Sequence, residues 1–387
     1  MNESSTTRKT YKYKLRPTPE QAACFAQTVR FCRELYNAGL QERRDAWRMQ
    51  HVSLNRMAQN AELPGVKEVR PEGARIHSQV LQDVMMRLDR AFKAFFERVH
   101  NGEKAGYPRF KSRSRFHSFT YPQWGNGATL DNGFLVLSKI GRVAVRWSRP
   151  MEGTPKTVTI TEEPDGWYAC FSCKDVPVHP LLLTGQETGI DLGLESFATF
   201  ANGEQIVNPR NSRKAQAAIA KANRRLSRRK KFSKRWRKAA KLLAKKYQQV
   251  KRQRRDFQHK AALVLVQQYD TIYYEDLQVA NMAQNGHLAK SIYDAGWSQF
   301  CAILAFKAEN AGKQVIAVNP AYTSQVCANC GLIVWKGLST RWHECPECGA
   351  SLHRDHNSAQ AILRVGQTHR GVTTWMRDAE PRRISAL

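Results

Sequence analysis

The sequence predicts a multidomain α/β protein: a helical lobe and a β module, then an α/β domain with a metal-stapled finger inserted in it. Three observations carry that expectation. The chain has 387 residues, too many for one ordinary core, and 42% of them are hydrophobic, enough for packed interiors. Its periodicity changes along the way, from helical to alternating and then to strands and helices in turn. Near the C-terminus, Cys327-Ala-Asn-Cys330 and Cys345-Pro-Glu-Cys348 flank residues 331–344, 14 residues in all, which is the spacing of a tetrahedral four-cysteine site.

The elements follow in order. Tyr11 to Arg16 alternates and reads as a strand ended by Pro17. Thr18-Pro19-Glu20-Gln21 has the cap, the proline and the glutamine of a helix start. Phe25, Val29, Cys32, Tyr36 and Leu40 then recur at helical spacing, and Ile76, Val80, Val84, Leu88, Phe92, Phe95 and Val99 mark a second long helix. Residues 18–106 are therefore expected as a helical lobe. From Gly106 the texture turns extended: Arg109, Lys111, Arg113 and Arg115 occupy every second position and share one face if the chain is a strand. Gly133 to Trp147 and Lys156 to Val176 read as hairpins, the second turning at Glu163-Pro164-Asp165-Gly166. Cys170 and Cys173 mimic a metal pair, but residues three apart on a strand point to opposite faces, so they are expected to be structural.

Beyond Leu183, Gly185 to Thr199 reads as strand, glycine turn, strand. Trp236, Ala240, Leu243, Tyr247, Val250 and Phe257 trace a thin apolar seam on a long helix, with the turn of a helical hairpin at Ser227 to Ser233. Asp270 to Leu277 is a strand closing at Glu275-Asp276, Ser291 to Asp294 has the form of a capping box before Trp297, and Gln314 to Val318 is a further strand. From Gly366 no period survives, and 366–387 is expected as a loose tail.

The charge narrows the partners. The chain carries +29, and Arg210 to Arg255 alone holds 21 Lys or Arg and no Asp or Glu. Self-repulsion on that scale needs a polyanion to offset it, and nucleic acid is the obvious one. Arg224, Arg225, Arg228, Arg229, Lys230, Lys231, Arg235 and Lys238 in that window, together with Arg109, Lys111, Arg113 and Arg115, are the candidate contacts. No apolar run approaches the ~18 residues of a membrane span, and the N-terminus lacks the order of a signal peptide. Nine cysteines, four of them at metal spacing, fit a reducing interior, so a cytoplasmic location is expected.

Chemistry is expected at two places. Cys327, Cys330, Cys345 and Cys348 suit one structural Zn²⁺, since four thiolates leave no position open for water. Asp191 sits between glycines after a β run, Glu275 closes another, and Asp355 follows the finger where a helix begins. Three such acids can converge on one sheet edge and hold two Mg²⁺ ions about 4 Å apart, one activating water and one stabilising the leaving 3′ oxygen of a phosphodiester. Asp276 is the rival of Glu275, but neighbours on a strand face opposite ways and only one can join. Beside the basic surface, the three acids favour a nuclease.

Read as motifs, YKYKLRPTPEQ from Tyr11, GYPRFK from Gly106, GIDLG from Gly189, YYEDL from Tyr273 and SIYDAGW from Ser291 continue into TSQVCANCG from Thr323, CPECG from Cys345 and HRDHNSAQAI from His353. In that order they resemble TnpB, the OrfB-type protein of bacterial insertion sequences related to the type V CRISPR effectors. The resemblance implies an RNase H-like (RuvC) nuclease core over 184–322 and 353–365, with Asp191, Glu275 and Asp355 as its metal-binding triad and the four-cysteine zinc finger at 323–352 inserted in it. It implies a β-barrel-like wedge domain from 1–17 and 107–183, and a recognition lobe at 18–106. It further implies cleavage of double-stranded DNA directed by a guide RNA from the transposon end, next to a short DNA motif, by a cytoplasmic protein that joins the bacterial nucleoid when bound and acts as a monomer with its RNA. The last motif departs slightly, reading His-Arg-Asp-His-Asn where many members have Asp-Arg-Asp. Arg354 is open to two roles, a contact to the scissile phosphate or a structural ion pair.

Two other readings compete. A DNA-joining transposase of RNase H type orders its acids Asp, Asp, Glu, whereas this chain runs Asp, Glu, Asp, and the His-hydrophobic-His pair of a single-strand transposase is absent from the sequence. A non-cutting, nucleic-acid-binding transposition regulator explains the charge and the finger but leaves three acids without a use.

Overall fold

The computed structural model describes residues 6–337 and 339–369, in two compact units, Met1–Pro177 and Val178–Leu387. In the first, β1 (Thr6–Arg16) buries Tyr11, Tyr13 and Leu15 and sets Lys12 and Lys14, half-buried, on its other face. Thr18 caps α1 (Pro19–Gln50), its hydroxyl accepting from Gln21 N while the Gln21 side chain accepts from Thr18 N. The helices α2 (Arg56–Ala61), α3 (Leu63–Val69) and α4 (Ser78–His100) follow, with Val80, Leu81, Val84 and Leu88 of α4 buried in one core with Phe25, Cys32 and Leu40 of α1.

The remaining strands are β2 (Ser118–Tyr121), β3 (Ala128–Asp131), β4 (Phe134–Leu137), β5 (Gly141–Arg146), β6 (Thr154–Glu163) and β7 (Gly166–Pro177), joined in an antiparallel sheet of order β2-β6-β7-β1-β5-β4-β3. Pro164-Asp165 makes the turn between β6 and β7, and β1 lies at the centre, Tyr11 opposite Phe171. Hydrogen bonding does not close the sheet into a barrel among the described residues, because β2 and β3 are its edges. The expected alternation of Arg109, Lys111, Arg113 and Arg115 is also broken. The Arg115 amide returns to Ser112 O in a turn at 3.0 Å, and the Lys111 backbone is held in both directions by the Asn37 side chain. These four do not share a strand face, although Arg109, Arg113 and Arg115 are exposed.

The second unit contains β8 (Glu187–Asp191), β9 (Ser196–Phe200), β10 (Gln205–Val207), α5 (Asn211–Ser227), α6 (Lys234–Gln268), β11 (Thr271–Glu275), α7 (Val279–Met282), α8 (Gly286–Ala295), α9 (Trp297–Asn310), β12 (Gln314–Val318), β13 (Trp342–Glu344), β14 (Ser351–His353) and α10 (Arg354–His369). Its main sheet has the order β10-β9-β8-β11-β12; β8, β11 and β12 are parallel, and β9 and β10 antiparallel. One face buries Ile190, Phe197 and Ile272 with Leu265 of α6 and Phe300 and Leu304 of α9. The other buries Tyr273 and Val318 with Ile362 and Val365 of α10. No helix among the described residues is long and apolar enough to cross a membrane.

Two glycines set how closely α10 lies on this sheet. A Cβ on Gly189 would stand 2.2 Å from Ala359 O and 2.5 Å from Leu363 N, and one on Gly366 would stand 2.0 Å from the Tyr273 ring. That second contact also explains why α10 continues through His369 instead of ending at 366: its last turn is packed on β11. The rest of the expected tail lies outside the described residues. Gly189→Ala sets a methyl against helix backbone that cannot swing aside, and is expected to destabilise this unit by about 1–3 kcal/mol. Calorimetric unfolding checks this, and an unchanged transition would mean that α10 can lift off without cost.

Local signals misplaced one helix start. Ser291 to Asp294 lies inside α8, which begins at Gly286 with the Asn285 side chain accepting from His287 N. Asp294 caps a different helix: its Oδ2 accepts from Ser212 N in the first turn of α5 at 2.9 Å. The turn into α9 is supplied by Gly296 at φ +65°, which glycine takes without strain.

Candidate active site

Strand parity places the acids. Tyr273 pairs with Gly189 and Tyr274 with Ile190 across the parallel strands β11 and β8, so the next step sets Glu275 beside Asp191. Residues two apart on a strand share a face. Asp191 therefore lies on the face of Gly189, and Glu275 on the face of Tyr273, the face that α10 covers. Asp276 falls on the other side and is exposed. Asp355 is the second residue of α10, so its carboxylate arrives over the C-terminal ends of the parallel strands, where open α/β sheets form their sites.

The electrostatics agree with that convergence. Burial first, then the charges of Glu275 and Asp355, push the Asp191 carboxyl well above its ordinary value, while the Arg354 guanidinium pulls it down. Burial raises Glu275 as well, opposed by the Thr323 hydroxyl that donates to it. Two neighbouring carboxyls that resist ionisation, both hard oxygen donors, suit a divalent cation such as Mg²⁺. Among the described residues, the four finger cysteines are the group of three or more ligand side chains with all candidate atoms within 4.8 Å of one another.

A folded-state pKa above the unfolded value gives stability that is complete below about pH 4 and lost as pH rises through the raised value. Without divalent metal, stability is thus expected to fall between acid and neutral pH. Asp191→Asn, which has no proton to lose, should fall less over the same range. Thermal unfolding of both proteins in chelator tests this, and equal pH slopes would contradict the repulsion.

Several side chains near the acids carry no obvious signal in sequence. Thr323 also reaches Pro320 O at 3.0 Å, fixing the loop that presents its hydroxyl to Glu275. Asn357, fully buried, accepts from Ala328 N at 2.9 Å and donates to Val326 O at 2.7 Å, clamping the first knuckle of the finger to the first turn of α10. His356 Nε2 lies 3.0 Å from Ala201 O, anchoring the same turn to the end of β9. Arg354 donates to the carbonyls of Gly337 at 2.9 Å and Thr340 at 3.5 Å, so its structural partner is the finger loop and not a carboxylate.

The finger itself has the geometry of a metal centre. Cys327 Sγ stands 3.7 Å from Cys348 Sγ, and Cys330 Sγ 3.4 Å from Cys345 Sγ. A tetrahedron with metal–sulfur bonds of ~2.3 Å has edges of ~3.8 Å, so these separations fit Zn²⁺. The two knuckles repeat one pattern: Gly331 N donates to Cys327 O at 2.9 Å and Gly349 N to Cys345 O at 3.0 Å, with φ of +82° and +69°. The candidate nucleic-acid residues of this unit, Arg224, Arg225, Arg228, Arg229, Lys230, Lys231, Arg235 and Lys238, are all exposed where α5 turns into α6. Ser233 caps α6, accepting from Trp236 N.

Three family models match the chain. One described as a probable transposase, OrfB_IS605, covers residues 168–286; a Cas12f1-like TNB domain covers 297–362; a helix-turn-helix domain covers 4–51, within which Thr6–Arg16 folds here as strand β1 and Pro19–Gln50 as the single helix α1. A putative RNA-guided DNA endonuclease of Streptomyces pristinaespiralis is 34% identical over 368 residues, 93% of this chain and 89% of that protein. The putative RNA-guided DNA endonuclease InsQ of Escherichia coli (strain K12) is 31% identical over 387 residues, 92% of each. The fold is similar to a chain of the cryo-EM Cas12f1–sgRNA–target DNA complex, with a TM-score of 0.55 and 14% identity over 92% of this chain and 99% of that one.

Proposed function

Because the chain belongs to the OrfB/TnpB family of insertion-sequence proteins, we propose that it is an RNA-guided DNA endonuclease whose second unit is an RNase H-like (RuvC) nuclease. The observation that carries the reading is the convergence of Asp191, Glu275 and Asp355 on one sheet edge, on adjacent parallel strands and the helix packed over them. The two relatives of similar length support the guided activity. The Asp, Glu, Asp order argues against a DNA-joining transposase.

In this reading Asp191, Glu275 and Asp355 hold two Mg²⁺ ions. When bound, the pair supplies charge neutralisation at the attacking and leaving oxygens of an in-line phosphodiester hydrolysis. Thr323 keeps the Glu275 carboxylate oriented, and α10, seated on Gly189, sets the depth of Asp355. Arg354 stays with the finger loop and adds positive charge beside the phosphate. The four cysteines hold one Zn²⁺ whose role is structural. Residues 1–17 and 107–183 form the wedge domain and 18–106 the recognition lobe, together holding the guide RNA and the short DNA motif beside the target. Residues 184–322 and 353–365 form the nuclease, and 323–352 the finger. The exposed cations at the α5–α6 turn follow the guide–target duplex by its backbone, as such duplexes are read by shape.

The experiment is to sequence the RNA that co-purifies with Asp191→Ala protein expressed beside its native flanking DNA. One discrete structured RNA with a variable 3′ segment is expected. Heterogeneous RNA, or none, would make the basic surface a general polyanion grip.

A further inference from the structure

Tyr322 stands one residue before Thr323, the donor to Glu275, and Trp335 lies against that tyrosine. Their rings meet edge to face, 6.2 Å between centroids at 85°, and each ring-bearing residue is 54% exposed, so core packing does not account for them. Tyr322 also has φ +64°, a left-handed backbone that glycine or asparagine takes far more readily than a bulky residue. A strained aromatic left in solvent is the kind of outlier that marks a functional contact.

Both rings are tied to the acids by short links. Tyr322 O accepts from Gln325 N at 2.8 Å and Val326 N at 2.9 Å, and the next residue, Thr323, donates to Glu275. Trp335 leads into Lys336, whose backbone is held from both sides by the Gln325 side chain at 2.7 and 3.1 Å. Gly337, one residue on, takes the Arg354 guanidinium beside Asp355. The two arms of one hairpin-like segment, bridged at Val326 and Ile333, thus carry the two rings, each arm tied to a neighbour of the triad.

We propose that Tyr322 and Trp335 form a stacking platform for an unpaired nucleobase of the DNA strand being cut, and so hold its phosphodiester over the three acids. Every base offers a π face, so such a contact is tolerant of sequence, as a nuclease whose target is chosen by a guide requires. The proposal rests on the nuclease reading above.

The test uses full-length protein with its co-purified RNA. Binding of a 2-aminopurine oligonucleotide is followed by fluorescence quenching in the Asp191→Ala background, at high salt where phosphate contacts weaken. Losing either ring, in Tyr322→Gly or Trp335→Ala, should weaken binding roughly 5- to 150-fold and slow single-turnover cleavage when Asp191 is restored. Tyr322→Phe should behave as wild type. Tyr322→Gly suits the φ +64° backbone, so its thermal unfolding and zinc content should not fall, which separates a contact from a folding role. Wild-type quenching and cleavage in both ring-loss variants would overturn the proposal, as would Tyr322→Phe failing like Tyr322→Gly. If the Asp191→Ala protein itself still cuts, the nuclease assignment fails instead.

Discussion

Asp191→Ala is expected to slow DNA cleavage by at least roughly 10³-fold while leaving nucleic-acid affinity unchanged. The size follows from charge. A carboxylate that holds a catalytic metal stabilises the transition state by several kcal/mol, and each ~1.4 kcal/mol is tenfold in rate. Affinity should survive because it is dominated by phosphate neutralisation at exposed Lys and Arg, none of which the substitution touches. Glu275→Ala should match it, since the two carboxylates sit in adjacent register, and the double variant should be little worse than either alone because the acids act as one unit. Asp276→Ala, on the opposite strand face, should retain activity. Cleavage is measured on a guided target under single-turnover conditions, with binding measured separately. An Asp276→Ala protein as dead as Asp191→Ala would mean that the parity assignment is wrong.

The second large effect is on the finger. Cys345→Ala removes one of four thiolates, and structural zinc in small fingers contributes about 10–16 kcal/mol of apparent folding free energy, more than a short loop with two knuckles can supply by itself. The finger should unfold, and the loss should spread. Asn357 would lose Val326 and Ala328 as partners, Arg354 would lose Gly337, and Glu275 would lose the Thr323 donor. Cleavage should therefore fall to near background although no acid has been touched. Zinc content should drop from one per chain toward zero, and a strong chelator should reproduce the loss in wild-type protein. Full activity in a zinc-free variant would mean that the finger is dispensable for holding the acids.

What was legible in the sequence is what short-range chemistry determines. The Thr18–Gln21 cap, the Pro164-Asp165 turn and the two cysteine knuckles each depend on a few consecutive residues, and each formed as those residues require. The choice of Glu275 over Asp276 follows from strand parity once the partner strand is known. The misses are of another kind. Asp294 caps α5 from a helix 82 positions away in sequence, and local spacing made it look like the start of its own helix. Gly189 reads as part of the β run before Asp191, but its use is to let α10 touch the strand, which depends on a helix more than 150 residues later. Asn357 and Thr323 are short polar residues whose partners come from other elements. The basic run at 109–115 was expected to be extended because every second residue is charged, and the Ser112–Arg115 turn overrode that pattern.

The central claim is that an RNA directs these three acids to a DNA site. Its most direct test is to assemble the protein with two RNAs that differ only in the variable 3′ segment, and to map the cuts on a plasmid carrying both matching sites beside the required motif. Cutting should move from one site to the other with the RNA, require a divalent cation, and vanish in Asp191→Ala with either RNA. Cutting that ignores the RNA exchange would contradict guidance, and guided cutting that persists in an Asp191→Ala, Glu275→Ala protein would contradict the site.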